Sequence, residues 1–477
     1  MVSRHNDTLA SIGSLVIGID AKAFLKEDKV IVHQLRLDDV TANLYTAPDG
    51  WSNYMVFDTS DDEDTSSTEL NLALVDLNKI RINRLSARYC DLRQGMLAEA
   101  EGLDLAVDGT WQEGTVDGKA QITLQRVMAD LCDSTGAQTL YANLADIDLG
   151  VKASGAMDDL EGKMTLDVAA ADVDMGGTSY MTAAQRPKNL LKVALPFHAN
   201  LDKQDITLKE AFLRLLDYTI YLDGSASLDP MNLDVAFRTD KWNVKELLAA
   251  LPKSITQSLK GMDVAADLTL DGRVQGVMDS TNTPQITAHV VLDKGSFSAP
   301  KMLPMKVKNI KGDLDVEMTE AVNVAINSLS LKADNTALSL KGKVVDVTGD
   351  MRIDALLKGN LSLPDLRPFL ADSMPIALQG TTDVDLHLVS RLSDLTDVNL
   401  KKMKLGGHLL FKGLDVWYDS IHAVAPDIDL GITLPATAKA DPARVIGVTL
   451  KGPALNVNML SSGLMASLVY PDIRVDL

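Results

Sequence analysis

The sequence predicts a mostly β protein, an elongated antiparallel sheet with a few short helices. Three observations predict it. Apolar and polar residues alternate with period 2 along most of the chain. Glycine–aspartate pairs separate many of the alternating runs. An internal repeat recurs at an offset of 119 or 120 residues.

The pattern opens between Val30 and Tyr54. Ile31, His33, Leu35 and Leu37 share one side; Val40, Ala42 and Leu44 continue it after a break, and Pro48-Asp49-Gly50 turns the chain. Further on, Val264, Ala266, Leu268 and Leu270 alternate with Asp263, Ala265, Asp267 and Thr269. Leu314, Val316 and Met318 alternate with Asp313, Asp315 and Glu317. Val384, Leu386 and Leu388 do so with Asp383, Asp385 and His387. Val322, Val324 and Ile326 repeat the pattern, as do Leu455, Val457 and Met459. Each strand thus offers one apolar and one solvated face, as in an antiparallel sheet wet on one side. Asp108-Gly109, Asp117-Gly118, Asp223-Gly224, Asp271-Gly272 and Gly349-Asp350 read as hairpin turns.

Helical signal is sparse. Asn243 is placed to cap Val244 to Leu251, with Glu246 completing a capping box and Pro252 as the stop. Pro364 to Leu370 is a second short helix with proline in its first turn. These helices expose the repeat: Met231 lies over Met351, Trp242–Leu247 over Leu361–Leu366, and Gly261 over Gly380. The unit is strand, short helix, glycine, strands, which suits a stacked β architecture. The chain divides into an N-terminal β region over 1–175, a loop or linker over 176–205, a β repeat over 206–340 carrying helix 243–251, and a second repeat over 341–477 carrying helix 364–370. The acidic run from Asp58 to Glu69 lacks the glycine and spacing of a calcium loop and reads as a solvated loop, as does Gly176 to Lys188.

Composition narrows the function. The net charge of −20 repels phosphate backbones, so no nucleic-acid partner is expected. Aromatics make up only 4%, so aliphatic side chains must form the apolar faces. Cys90 and Cys132 lie in no CxxC pair, and paired and unpaired thiols both remain open. No apolar run reaches the ~18 residues a spanning helix needs. The chain reads as beginning inside a strand pattern, as a fragment of a longer protein.

No motif carries chemistry. The histidines at 5, 33, 198, 289, 387, 408 and 422 show no metal-ligand spacing, and His387 sits on the polar face of its strand. There is no nucleophile elbow, phosphate-binding loop or dinucleotide fingerprint. No catalytic residue, metal or cofactor is therefore expected, and an enzyme is the least favoured class. The apolar faces fit two arrangements, core between packed sheets, which periodicity alone favours, or the lining of a curled trough.

A family resemblance separates these. Asp49-Gly50-Trp51-Ser52-Asn53, after a strand and apolar turn, resembles the "DG-x-x-N-W"-like segment near the start of AsmA-family proteins. Here Trp51 precedes Asn53, and Tyr54 follows it. Leu77 to Asp91 is similar to that family's next strand, whose Tyr-x-Asp ending Tyr89 and Asp91 fill. Leu363 to Leu370 and the strand after Gly380 look like its recurring unit. The likeness is diffuse and covers most of the chain.

It implies an AsmA-like member of the repeating β-groove lipid transfer proteins of Gram-negative envelopes, its sheet curled into an open groove. It further implies a periplasmic protein held to the inner membrane by a helix absent from this chain. The implied partners are phospholipid or another acyl lipid and envelope membrane proteins, and the implied role is in outer-membrane biogenesis. Val264, Ala266, Leu268, Leu270, Leu314, Val316, Met318, Val384, Leu386 and Leu388 are the candidate groove lining. The rival function is a periplasmic scaffold or assembly factor for outer-membrane proteins, acting through exposed strand edges.

Overall fold

Strands that alternate this regularly cannot bury both faces, and a computed structural model of the chain arranges them as one open, mixed sheet of 26 strands. It describes residues 8–19, 32–54, 79–112, 114–181, 189–250, 256–300, 303–370, 374–435, 445–459 and 461–476. The acidic run 58–69, residues 182–188 and the helix stop at Leu251-Pro252 lie outside them. The chain forms two compact units, Met1–Phe237 with Ala249–Ser258, and Arg238–Leu248 with Leu259–Leu477.

The first unit opens with β1 (Ala10–Ile19), β2 (Val32–Thr46), β3 (Lys79–Asp91) and β4 (Met96–Gln112). It continues through β5 (Thr115–Cys132), β6 (Gln138–Ala156), β7 (Asp159–Met175) and β8 (Thr178–Met181). β9 (Leu191–Asn200), β10 (Asp205–Leu215), β11 (Tyr218–Leu228) and most of β12 (Met231–Thr239) follow. Neighbours in sequence pair antiparallel with one exception among the pairings described. β2 and β3 run parallel, from Gln34 beside Lys79 to Thr46 beside Asp91. A parallel pair needs a long return, and residues 47–78 supply it.

The stretch 176–205, expected as loop, carries β8 and β9. Both pair with β7: β8 with its Val173–Met175 end, β9 with Leu160–Val168. Val193 and Ala199 are buried there, so β9 completes a ladder that a loop would leave open.

The second unit holds β13 (Trp242–Asn243), β14 (Asp263–Val277), β15 (Gln285–Ala299), β16 (Leu303–Met318) and β17 (Val322–Ala333). Next come β18 (Thr336–Val345), β19 (Arg352–Ser362), β20 (Ile376–Arg391), β21 (Lys404–Tyr418) and β22 (Ile421–Leu434). β23 (Gly447–Lys451) and β24 (Ala454–Met459) share the edge of β22, and they pair in turn with β26 (Asp472–Asp476) and β25 (Leu464–Val469).

Both sequence-derived helices form. One is α-helical over Val244–Ala250, with the Asn243 Oδ1 accepting from the amides of Lys245 and Glu246. The other is a 3-10 helix over Leu363–Phe369, and its buried Asp365 carboxylate accepts from Thr336 Oγ1 at 2.8 Å and the Asn335 amide at 3.0 Å. The repeat glycines that follow, Gly261 and Gly380, have φ of 85° and 103°, which explains why glycine recurs at that place.

Four of the five expected hairpin pairs instead lie inside strands: Asp108-Gly109, Asp117-Gly118, Asp223-Gly224 and Asp271-Gly272. Only Gly349-Asp350 falls between strands. In-strand glycine here serves close approach of neighbouring backbones. Gly109 and Gly118 face each other across β4 and β5. Gly407, in β21, has φ of 148°, and a Cβ there would run into the carbonyl oxygen of Asp385. The chain reverses elsewhere, for instance at Gly136, where the Asp133 carboxylate accepts the amides of Thr135 and Ala137.

Bulges keep the first unit's strands in step. Asp39, Arg84, Gly102 and Asp146 all have positive φ at register breaks, at one level of β2, β3, β4 and β6. Each such bulge bends its strand and raises local twist, so an aligned column bends the sheet along a line.

Cys90 and Cys132 are both free thiols. Cys90 pairs with Leu97 of β4, and β4 separates β3 from β5, which carries Cys132. Two strand spacings of ~4.8 Å exceed the reach of a disulfide.

Adjacent glycines supply a matched test of the in-strand requirement. Gly407→Ala is expected to destabilise the protein by about 2 kcal/mol or more. Gly406→Ala, whose Cβ would enter open space, is expected to change stability little. Urea denaturation of the two variants reads the difference, and equal midpoints would refute it.

Candidate functional site

Register decides which side chains share a face, and in this chain it lines up aliphatic residues strand after strand. In the second unit one line across β14 to β23 and β26 reads Leu268, Leu292, Gly312, Leu329, Leu340, Leu357, Leu386, Gly407, Ile432, Val448 and Val475. Every position is aliphatic or glycine. A neighbouring line reads Leu270, Val290, Leu314, Ile326, Gly342, Ala355, Leu388, Leu405 and Leu434.

The ten sequence-predicted residues fall on this unit as follows. Leu268 and Leu386 share the first line; Leu270, Leu314 and Leu388 share the second. Val316 pairs with Ala288 and Val324, and Met318 with Ile286 and Val322. Val384 lies between Gly359 and Leu409, and Val264 faces Phe297. Ala266 sits in the register break of β14 between Ala265 and Asp267. Val384 is buried at 7% exposure, Met318 is 40% exposed, and the other eight are half-buried.

That half-burial is the distinctive fact. Two sheets packed face to face would enclose such leucines fully. Here the buried apolar residues are largely alanines and residues near strand ends, and the largest fully buried side chains are Thr46, Thr382 and Asp91. Gly342, Gly359 and Gly407 interrupt the aliphatic face as notches without side chains.

The first unit carries a matching line that sequence reasoning did not single out. It reads Leu15, Leu37, Ile82, Leu105, Ile122, Leu149, Leu166, Val193, Leu213 and Ile220 across β1 to β7 and β9 to β11. The alternation of Ile80 with Ile82 and of Leu103 with Leu105 carried the signal. The bulges break its phase.

The opposite face is solvated and carries cross-strand pairs of opposite charge. Aspartates accept from lysines across strands, Lys358 to Asp385 at 2.9 Å and Lys412 to Asp383 at 2.6 Å. Histidines do the same work: His387 meets Asp354 at 2.8 Å, His408 meets Asp429 at 2.9 Å and His422 meets Asp415 at 3.0 Å. His289 meets Asp315 at 2.8 Å, and this hydrogen bond raises the His289 pKa against the smaller opposing effect of burial. Among the described residues no cluster of His, Cys, Asp or Glu could hold a metal ion.

The motif around Asn53 is a clasp. Asn53 is buried; its Oδ1 accepts from the Tyr45 amide and its Nδ2 donates to the Asn43 carbonyl, both at 2.8 Å, so it pairs with β2 as a strand would. Asp49 Oδ1 accepts from the Trp51 amide at 3.0 Å, closing the turn. Asp91, 1% exposed, accepts from the amides of Arg93 and Gln94. These polar groups are satisfied internally and fasten the ends of β2 and β3.

His289 is expected to titrate above its ordinary value of 6.5, and Asp315→Asn is expected to lower it. The sign follows: stability from this pair is complete below 6.5 and lost as pH rises through the raised folded value. NMR titration of the imidazole checks it, and an unchanged midpoint in the variant would refute it. Comparison of the chain with protein-family models, with curated proteins and with solved structures finds no match.

Proposed function

We propose that this protein binds acyl lipid along the aliphatic face of its sheet and conducts phospholipid within a Gram-negative envelope, as the resemblance to AsmA-family proteins implies. The observation that carries this reading is the line from Leu268 to Val475, aliphatic or glycine throughout with no side chain on it buried. An apolar surface of that extent calls for an apolar occupant. Shielding a methylene from water contributes ~0.8 kcal/mol, so acyl chains gain from such a surface without a specific polar contact. Aliphatic walls with notches at glycine would let a chain slide, whereas aromatic plugs would hold it. On this reading the chain works without catalytic groups.

A second reading draws on strand edges. β25 pairs only with β24 among the described pairings and is exposed along its length, with Met465 at 80% and Val469 at 66%. Such an edge accepts a further strand, as a scaffold for outer-membrane proteins would require.

Uptake of a fluorescent phospholipid from vesicles separates the two. Leu268→Asp and Leu386→Asp each place a carboxylate on the aliphatic line and are expected to cut uptake at least about ten-fold, a loss of ~1.4 kcal/mol or more. Full uptake by either variant, folded by circular dichroism, would contradict the lipid reading. Capture of unfolded strand peptides without lipid would favour the scaffold.

A further inference from the structure

We propose that the polar face of the first unit carries a cleft for a phosphate group, formed by Lys152, Lys163 and Lys209. The register of β5, β6 and β7 sets Lys119, Lys152 and Lys163 directly opposite one another. Like charges so placed repel. Lys119 has the Asp108 carboxylate at 3.8 Å. Among the described residues, Lys152, Lys163 and Lys209 have no carboxylate within ion-pair distance. In a chain of net charge −20, three such lysines lining one cleft concentrate positive charge at one place.

The backbone opens the space between them. Pro196 of β9 sits opposite Lys163 and has no amide proton to donate. Beside it the β10 register skips from Leu208 to Phe212, with Glu210 at φ 54°. Lys209 lies in this skip. The resulting cleft, about 650 Å³, is also lined by Ser154, Thr207, His198 and Glu161. Three ammonium groups supply point charges and two hydroxyls supply directional donors, the donor set a phosphate ester needs. His198 pairs with Asp159 at 3.3 Å, and Glu161 is the one carboxylate lining the cleft. The cleft is on the polar face, away from the aliphatic line, so it stands independently of the lipid reading.

The test uses the full chain at low ionic strength, with inorganic phosphate and glycerol phosphate by calorimetry, and with phosphatidylglycerol-containing against pure phosphatidylcholine vesicles by co-sedimentation. Binding of the soluble phosphates would identify a free ligand, and binding only of phosphatidylglycerol vesicles would identify a lipid headgroup; either supports the cleft. Lys152→Gln with Lys163→Gln is expected to weaken that binding at least ten-fold and, by relieving repulsion, to raise the melting temperature. Glu161→Gln keeps all three lysines and is expected to tighten binding several-fold. Lys401→Gln, outside the cleft, is expected to change nothing. Absence of binding to every probe, or binding that survives the double substitution, would overturn the proposal.

Discussion

Everything else in this protein depends on cross-strand register. A sheet whose strands alternate apolar and acidic residues keeps its faces distinct only while every strand pairs in phase, because a slip of one residue exchanges the faces. The first unit holds phase across its bulges by aligning them, with Arg84 bridging to Asp39 on the neighbouring strand and its own amide donating to Asp104. The second holds it with in-strand glycines such as Gly342, Gly359 and Gly407, where a side chain would strike the adjacent backbone. The price of this order is an aliphatic face that no second layer covers among the described residues.

The polar face makes such an open sheet tolerable. Many of its carboxylates are spaced so that lysine, arginine, histidine or asparagine meets them across a strand, as Asn327 meets both Asp313 and Asp315. Exposed pairs of this kind contribute little each. Their larger effect is to penalise slipped pairings, which would set aspartate against leucine. The lysine cluster around Lys163 lies beside the interruption of register between β9 and β10.

The sequence made the strands and both short helices legible, because each depends on neighbours within a few residues. It misled where glycine has two uses: Asp223-Gly224 reads as a hairpin, yet Gly224 lies within β11 beside Asp234 and Val235. The parallel pairing of β2 with β3 and the role of β9 depend on partners far along the chain. The predicted apolar residues could be assigned to a face, but their common lines, Leu268 with Leu386 and Leu270 with Leu388, appear only once intervening strands are counted in register. The first unit's line escaped notice because its bulges shift the alternation midway.

The most direct measurement is native mass spectrometry of the purified chain followed by organic extraction of whatever it carries. An occupied aliphatic face predicts adducts whose masses match phospholipids, released into the organic phase. A clean protein mass that stays unchanged after incubation with phospholipid vesicles would contradict lipid binding and leave the aliphatic lines as structure alone.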